Sequence, residues 1–178
     1  VLGPDAESVA LAWRFPGLAS KDFEVLQVVS QVLYNGKAGL IDLDLNQQQK
    51  VLNSYGYPMG LADYSAFILG GLPKQGQMLE EVKDLLLNEI KKLRAGEFDE
   101  KMLQANINNF KLYELQSMES NEGRADIFVN SFINGTNWED EVTAIDRMAK
   151  LTKEDIVAFA DKYLKEDNYA CLLYTSPS

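Results

Sequence analysis

The sequence predicts a two-layer α+β fold, in which a small mixed β-sheet is covered on one face by long helices. Three observations predict it. Short runs of β-formers bounded by Gly and Pro occupy the first half of the chain, whereas apolar residues recur at spacings of three and four through most of the second. The chain, 178 residues with 46% hydrophobic and 25% charged, is the size of one domain with a substantial core.

Taken in order, Ser8 to Phe15 is apolar on both faces and ends at Pro16-Gly17, which predicts a largely buried strand. Ser20 then N-caps a helix whose stripe runs through Phe23, Leu26, Val29 and Leu33 and is broadened by Val25, Val28 and Val32. Gly36 and Gly39 interrupt the chain before Leu40 to Leu45, where alternation suits a strand and the flanks suit a short helix; we read it as helix. Val51 to Tyr57 and Tyr64 to Gly71 form two strands of a hairpin, separated by Pro58 to Asp63.

From Gln77 the period becomes helical. Leu79, Val82, Leu86, Ile90 and Leu93 make a stripe that Gly96 ends. Asp99 caps the next helix, which carries Met102, Leu103, Ile107, Phe110, Leu112 and Leu115 to a break near Asn121-Glu122-Gly123. A further helical piece holds Ile127, Phe128 and Phe132 and closes at Asn134-Gly135-Thr136. Trp138 to Lys150 and Thr152 to Leu164 complete the helices, the second opened by a capping-box variant of Thr152 with Asp155. A last strand begins at Asn168-Tyr169-Ala170.

Charge and absences bound the chemistry. The formal net charge of −10 opposes binding to nucleic acid and to anionic lipid, so neither is expected as a partner. Apolar runs are only a few residues long, far below the ~20 of a membrane-spanning helix, and no membrane span is expected. With no His and one Cys, the chain by itself has no donors for a His/Cys zinc site, a Cys-His pair or a Ser-His-Asp triad. Val1-Leu-Gly-Pro4 has neither an initiator Met nor the regions of a signal peptide, and the sequence is expected to begin within a longer protein.

Several short patterns imitate sites. Gly71 to Gly76 has the glycine spacing of a phosphate loop, but Gln77-Met78 stand where Lys and Ser/Thr belong. Asp42-x-Asp44-x-Asn46 imitates a calcium loop, but Gln47 replaces its turn glycine and Asn53 its closing Glu. The acidic clusters Glu80-Glu81-Asp84, Glu97-Asp99-Glu100 and Glu139-Asp140-Glu141 fall near helix N-termini, where the helix dipole accounts for them. Asn134-Gly-Thr136 fits a glycosylation triplet and equally an Asn-Gly turn. Tyr55, Tyr57, Tyr64 and Met59 gather at the hairpin, as an exposed contact surface or as ordinary strand composition.

The final eight residues, Cys171-Leu-Leu-Tyr-Thr-Ser-Pro-Ser178, resemble the in-frame translation of a transposase adapter used in sequencing libraries. The expected organisation is therefore one domain over residues 1–170, truncated at both ends, followed by a non-native tail at 171–178. Asn168 to Thr175 also reads as an ordinary β-strand. Neither reading assigns chemistry to Cys171.

Val9-Ala-Leu-Ala-Trp-Arg-Phe15, the helix from Asp22 ending in Gln31-Val-Leu-Tyr-Asn-Gly36, the strand Phe67-Ile-Leu-Gly70 and Leu79-Glu-Glu-Val82 resemble the non-catalytic domain of insulinase/pitrilysin-type zinc metallopeptidases. Leu151 to Leu164 is similar to that family's closing helix. The resemblance extends from Ser8 to Ala170 and rests on order and spacing. It implies a mitochondrial-processing-peptidase-like (metallohydrolase-like) fold, in a protein whose similar domains enclose a chamber where peptides are cut.

The family's zinc site is an inverted His-x-x-Glu-His motif with a downstream Glu, and a chain without His holds none of it. The resemblance therefore implies no catalytic and no metal-binding residue in this chain, no cofactor of its own, and zinc in the parent protein. Its implied partners are the zinc-bearing domain, in the same or a partner chain, and a peptide substrate met through the parent. Some companion domains carry an Arg-x6-Tyr pair that reaches the substrate, but Asn46 and Asn53 stand at the best-matching positions, which points to the second domain of the zinc-bearing half. Gly36, Lys37 and Gly39 sit where processing-type members have a glycine-rich substrate loop, and are the candidate chamber-wall residues; a helix-terminating loop is the alternative. The implied function is a non-catalytic, substrate-enclosing domain of a zinc metalloendopeptidase, inactive by itself. The alternative is a scaffold or assembly module of a catalytically inactive relative.

Overall fold

The computed structural model describes residues 6–175, so the readings made on Val1 to Pro4 and on the end of the tail lie outside the described residues. Strands β1 (Ser8–Pro16), β2 (Asn53–Met59), β3 (Tyr64–Leu72) and β4 (Ala170–Tyr174) form one sheet in the order β2-β3-β1-β4. Helices α1 (Lys21–Leu33), α2 (Leu79–Arg94), α3 (Lys101–Glu119), α4 (Asn121–Asn134), α5 (Trp138–Met148) and α6 (Lys153–Tyr163) make the second layer and an outlying arm. The α+β architecture is as expected. Its sheet is antiparallel at every pairing rather than mixed: the short β2–β3 connection reverses the chain, and β1 runs against both β3 and β4.

The core lies between the sheet and α1, α2 and α6. Val9, Leu11, Trp13 and Phe15 of β1 are buried together with Phe67 and Leu69 of β3, against Leu26, Val29 and Leu33 of α1 and Val82, Leu86 and Leu93 of α2. Trp13 closes this layer, its Nε1 donating to the Lys165 carbonyl at 3.1 Å while its ring meets Tyr169. Phe15 stacks on Phe159 of α6, with ring centroids 5.7 Å apart.

Helix limits follow local chemistry. The Ser20 side chain accepts from the Asp22 amide, and Thr152 and Asp155 form a full capping box. The break between α3 and α4 is a single residue, Ser120, whose side chain accepts from the Gly123 amide. Glu100, not Asp99, precedes α3, although the Asp99 carboxylate accepts from the Lys101 amide. The ambiguous segment is helical, as read, but wound wider: Asp42–Asn46 is a π-helical turn.

β1 departs from expectation in one respect. Its two sides are unequal, because Ala10 and Ala12 are half-buried and Arg14 is exposed while the alternate residues are fully covered. Alanines made both faces look apolar in sequence; the pleat sends only one of them into the core.

Candidate functional site

The helices leave one side of the sheet open. Antiparallel register places Ala10, Ala12 and Arg14 of β1, Ala66, Ile68 and Gly70 of β3, and Tyr55, Tyr57 and Met59 of β2 on this side. The result is a trough of small side chains bordered by aromatics. Tyr55 and Tyr57 stack with centroids 6.2 Å apart, and Tyr55 lies so close over Gly70 that an added Cβ would meet its ring at 2.3 Å. Across the sheet, the Arg14 guanidinium sits 3.5 Å from the centre of the Tyr64 ring. β2 is at one end of the strand order, so its outer backbone groups have no strand neighbour among the described residues.

The structure thus brings Tyr55, Tyr57, Met59 and Tyr64 onto one surface and adds Arg14, which the sequence reading missed. Alternation of Ala, Ala and Arg with bulkier residues along β1 carries that signal. A planar cation, aromatic faces and a strand edge with no strand neighbour among the described residues beyond Ser54, whose amide and carbonyl are bonded by Asn46, suit an extended peptide, which is recognised through main-chain hydrogen bonds and shallow side-chain contacts.

The turn carrying Gly36, Lys37 and Gly39 is built around Asp42. This carboxylate is 4% exposed and accepts from the Asn35 and Gly39 amides, both at 3.0 Å. The Asn35 side chain accepts in turn from the Lys37 and Ala38 amides. Gly36 has φ +78°, a conformation that favours glycine, and a Cβ on Gly39 would meet the Leu33 carbonyl at 2.6 Å. Gly36 and Lys37 are exposed. The turn ends α1, where the Tyr34 amide bonds the Ser30 carbonyl, and it also fixes how Lys37 is displayed.

Asn46 and Asn53 are not brought together as a pair. Asn46 is clasped to Ser54 instead, its amide donating to the Ser54 carbonyl and its oxygen accepting from the Ser54 amide and hydroxyl, all at 2.8 Å. The side chain at this position is consumed in joining the π-helical turn to β2.

A cluster of three coupled charges lies beside that turn. Lys92 Nζ lies 2.6 Å from Asp44 and 2.8 Å from Glu89. The hydrogen bond from Lys92 holds the Asp44 carboxyl below its usual range, although burial opposes it. Burial pushes Glu89 up, beyond what Lys92 restores, and one of its oxygens has no hydrogen-bond partner. Burial alone would lower Lys92, but its bonds to both carboxylates raise it. One lysine bridges the two acids and holds them together across 45 residues of chain.

The donor set does not fit zinc. The chain has no His, its one Cys is exposed on β4, and among the described residues no three potential ligands of the His, Cys, Asp or Glu types converge. Other imitations resolve structurally: Gly71 and Leu72 end β3, Asp42–Asn46 is helical, and Glu80, Glu81, Glu139, Asp140 and Glu141 occupy first turns of α2 and α5. Asn134 ends α4 beside Gly135. A cleft of about 360 Å³ lies between the start of α1 and the α4–α5 corner, lined in part by Glu24, Asn134, Asp140 and Glu141, and the Thr136 hydroxyl at that corner donates to Glu141 at 2.6 Å.

Residues 2–110 match the family model described as the peptidase M16 inactive domain. Over 170 residues the chain is 28% identical to the zinc protease PqqE of Helicobacter pylori (strain ATCC 700392 / 26695), covering 92% of this chain and 37% of that protein. The fold superposes on a protease structure from Helicobacter pylori with a TM-score of 0.88 at 22% identity, over 96% of this chain and 41% of that one. It superposes on an inactive peptidase domain from Bordetella parapertussis with a TM-score of 0.84 at 18% identity, over 100% and 95% of the two chains.

Proposed function

Because this chain belongs to the peptidase M16 inactive-domain family, we propose that it is the substrate-enclosing, non-catalytic domain of a zinc metallopeptidase that degrades or processes peptides. The metal is held by a companion domain, in the same or a partner chain, and the present chain supplies wall and not chemistry. Residues 1–170 form that single domain, and 171–178 are a non-native tail. Two facts support the reading: the chain spans 37% of the length of the zinc protease it resembles, and it has no His with which to bind zinc by that family's motif.

The uncovered sheet face carries the proposal. A peptide laid along β2 past Ser54 meets main-chain groups with no strand neighbour among the described residues and rests on Tyr55 and Tyr57, while Arg14 over Tyr64 offers a cation to a peptide carboxylate. Held there, the peptide is kept near the metal by enclosure, which raises its local concentration without any bond being made or broken by this domain. Gly36, Lys37 and Gly39 are the candidate wall residues at the end of α1, with Lys37 the exposed cation.

The test begins with the gene. Reading outward from the segment coding for Ser8 to Ala170 recovers the parent protein, which is expected to carry the inverted zinc motif upstream. In that protein Tyr57→Ser is expected to raise KM for unstructured peptides about tenfold with kcat little changed, the sign of lost uniform binding. An upstream domain without zinc ligands would instead mark a scaffold. Cleavage by the 178-residue chain after chelation and zinc return would overturn the assignment.

A further inference from the structure

Among the described residues, nothing covers the apolar stripe of helix α4. Of its 14 residues only Ser131 is buried, while Phe128, Val129, Phe132 and Ile133 are at least half exposed and Phe132 reaches 88%. These positions fall three and four apart and form one stripe. The second half of α3 adds Leu112 and Leu115, both more than half exposed, although its first half buries Leu103 and Ile107 in the ordinary way. A helix of a folded domain turns such a stripe inward. Here it faces water, and Phe128 is further ordered by stacking on Trp138 with centroids 4.2 Å apart. A contiguous apolar surface of this kind marks an interaction site.

We infer that the α3–α4 face is the docking surface for the companion domain of the parent protein, a partner with an apolar centre and a basic margin. The inference rests on the reading under Proposed function. Charge favours this occupant over a second copy: on the α3–α4 face, residues 111–134 hold four acidic side chains (Glu114, Glu119, Glu122 and Asp126) and two basic ones (Lys111 and Arg124), so a self-complementary interface would set acid against acid. Length agrees. The relatives that align over nearly the whole of this chain devote 59–63% of their own length to something else, being 41% and 37% covered. A partner tethered in the same chain meets this face at an effective concentration of order millimolar, so a modest apolar patch is enough to hold it.

The experiment compares hydrogen–deuterium exchange in the parent protein and in the 178-residue chain. Amides of residues 112–115 and 128–133 are expected to exchange at least about tenfold more slowly in the parent, with α2 unchanged. The double variant Phe132→Asp, Ile133→Asp is expected to abolish that protection in the parent and to leave the unfolding midpoint of the shorter chain where it was. Equal exchange in the two proteins overturns the inference. So does protection that grows with concentration in the shorter chain, because the occupant is then a second copy. The two readings fail separately: protection in a parent without zinc ligands keeps the docking surface and removes the peptidase, whereas a zinc motif with no protection does the reverse.

Discussion

The sheet with α1, α2 and α6 and the arm made by α3 to α5 are held together by different forces. Large apolar side chains fill the first: Leu11, Trp13, Phe67, Leu26, Leu86 and Leu93 are essentially inaccessible to water. In the arm, α4 buries Ser131 and α5 buries Met148. Beyond Leu103 and Ile107, which anchor the start of α3 in the core, the specific ties of the arm are polar. Arg147 of α5 grips both oxygens of Glu24 on α1 at 2.5 and 2.9 Å, and the Thr136 hydroxyl spans from Glu141 to Ser131. Apolar burial contributes stability in bulk, whereas such hydrogen bonds give direction with a smaller net gain. The contrast teaches that the core folds for itself and the arm is shaped for something else.

The comparison can be broken most forcefully at Trp13. Trp13→Ala removes a buried ring and strands the Lys165 carbonyl, and is expected to cost about 3–5 kcal/mol in urea unfolding. Arg147→Ala is expected to cost about 1–2 kcal/mol, with faster exchange confined to α5, since the bidentate pair with Glu24 is only partly shielded. A comparable loss of protection in α2 would show that core and arm are one unit.

A pH series tests the polar cluster next to the core. The folded chain holds the Glu89 proton more tightly than the unfolded chain does, so this group's contribution is complete below the unfolded glutamate value and is lost as pH rises toward the raised folded one. Asp44 has the opposite sign: its contribution is complete above the ordinary aspartate value and is lost as pH falls through the lowered one. Glu89→Gln removes the first and keeps the Lys92–Asp44 ion pair. It is expected to raise the urea midpoint at about pH 8 and to leave it nearly unchanged at about pH 4. The smallest effect belongs to the arm: Phe132→Ser is expected to change stability of the 178-residue chain by less than about 0.5 kcal/mol, because the ring is already in water.

Local chemistry was readable in the sequence. Ser20, Thr152 with Asp155, and Gly135 act within a turn of helix, and each ends an element where the sequence places the end. Tyr55 and Tyr57 likewise announce themselves through their spacing. What the sequence hid depends on distant partners. Arg14 meets Tyr64 only through the β1–β3 register, Lys92 meets Asp44 from 48 residues away, and Arg147 meets Glu24 from 123. Asn46 shows the same limit at short range, since its clasp on Ser54 needs a π-helical turn that no residue pattern specifies. The bareness of α4 was hidden for another reason: its periodicity describes an apolar face but not whether anything lies against it.

The pairing of Ala170–Tyr174 with Ser8–Ala12 also bears on how the protein behaves at high concentration. These five residues occupy the outward row of donors and acceptors on β1, a strand whose alternate side chains form the centre of the core. A chain shortened to end at Ala170 uncovers that row along its most apolar strand, and a second molecule can fill it with a strand of its own. The shorter protein is therefore the one expected to grow turbid and to seed fibrous aggregates, which the strand Ala170–Tyr174 is expected to block.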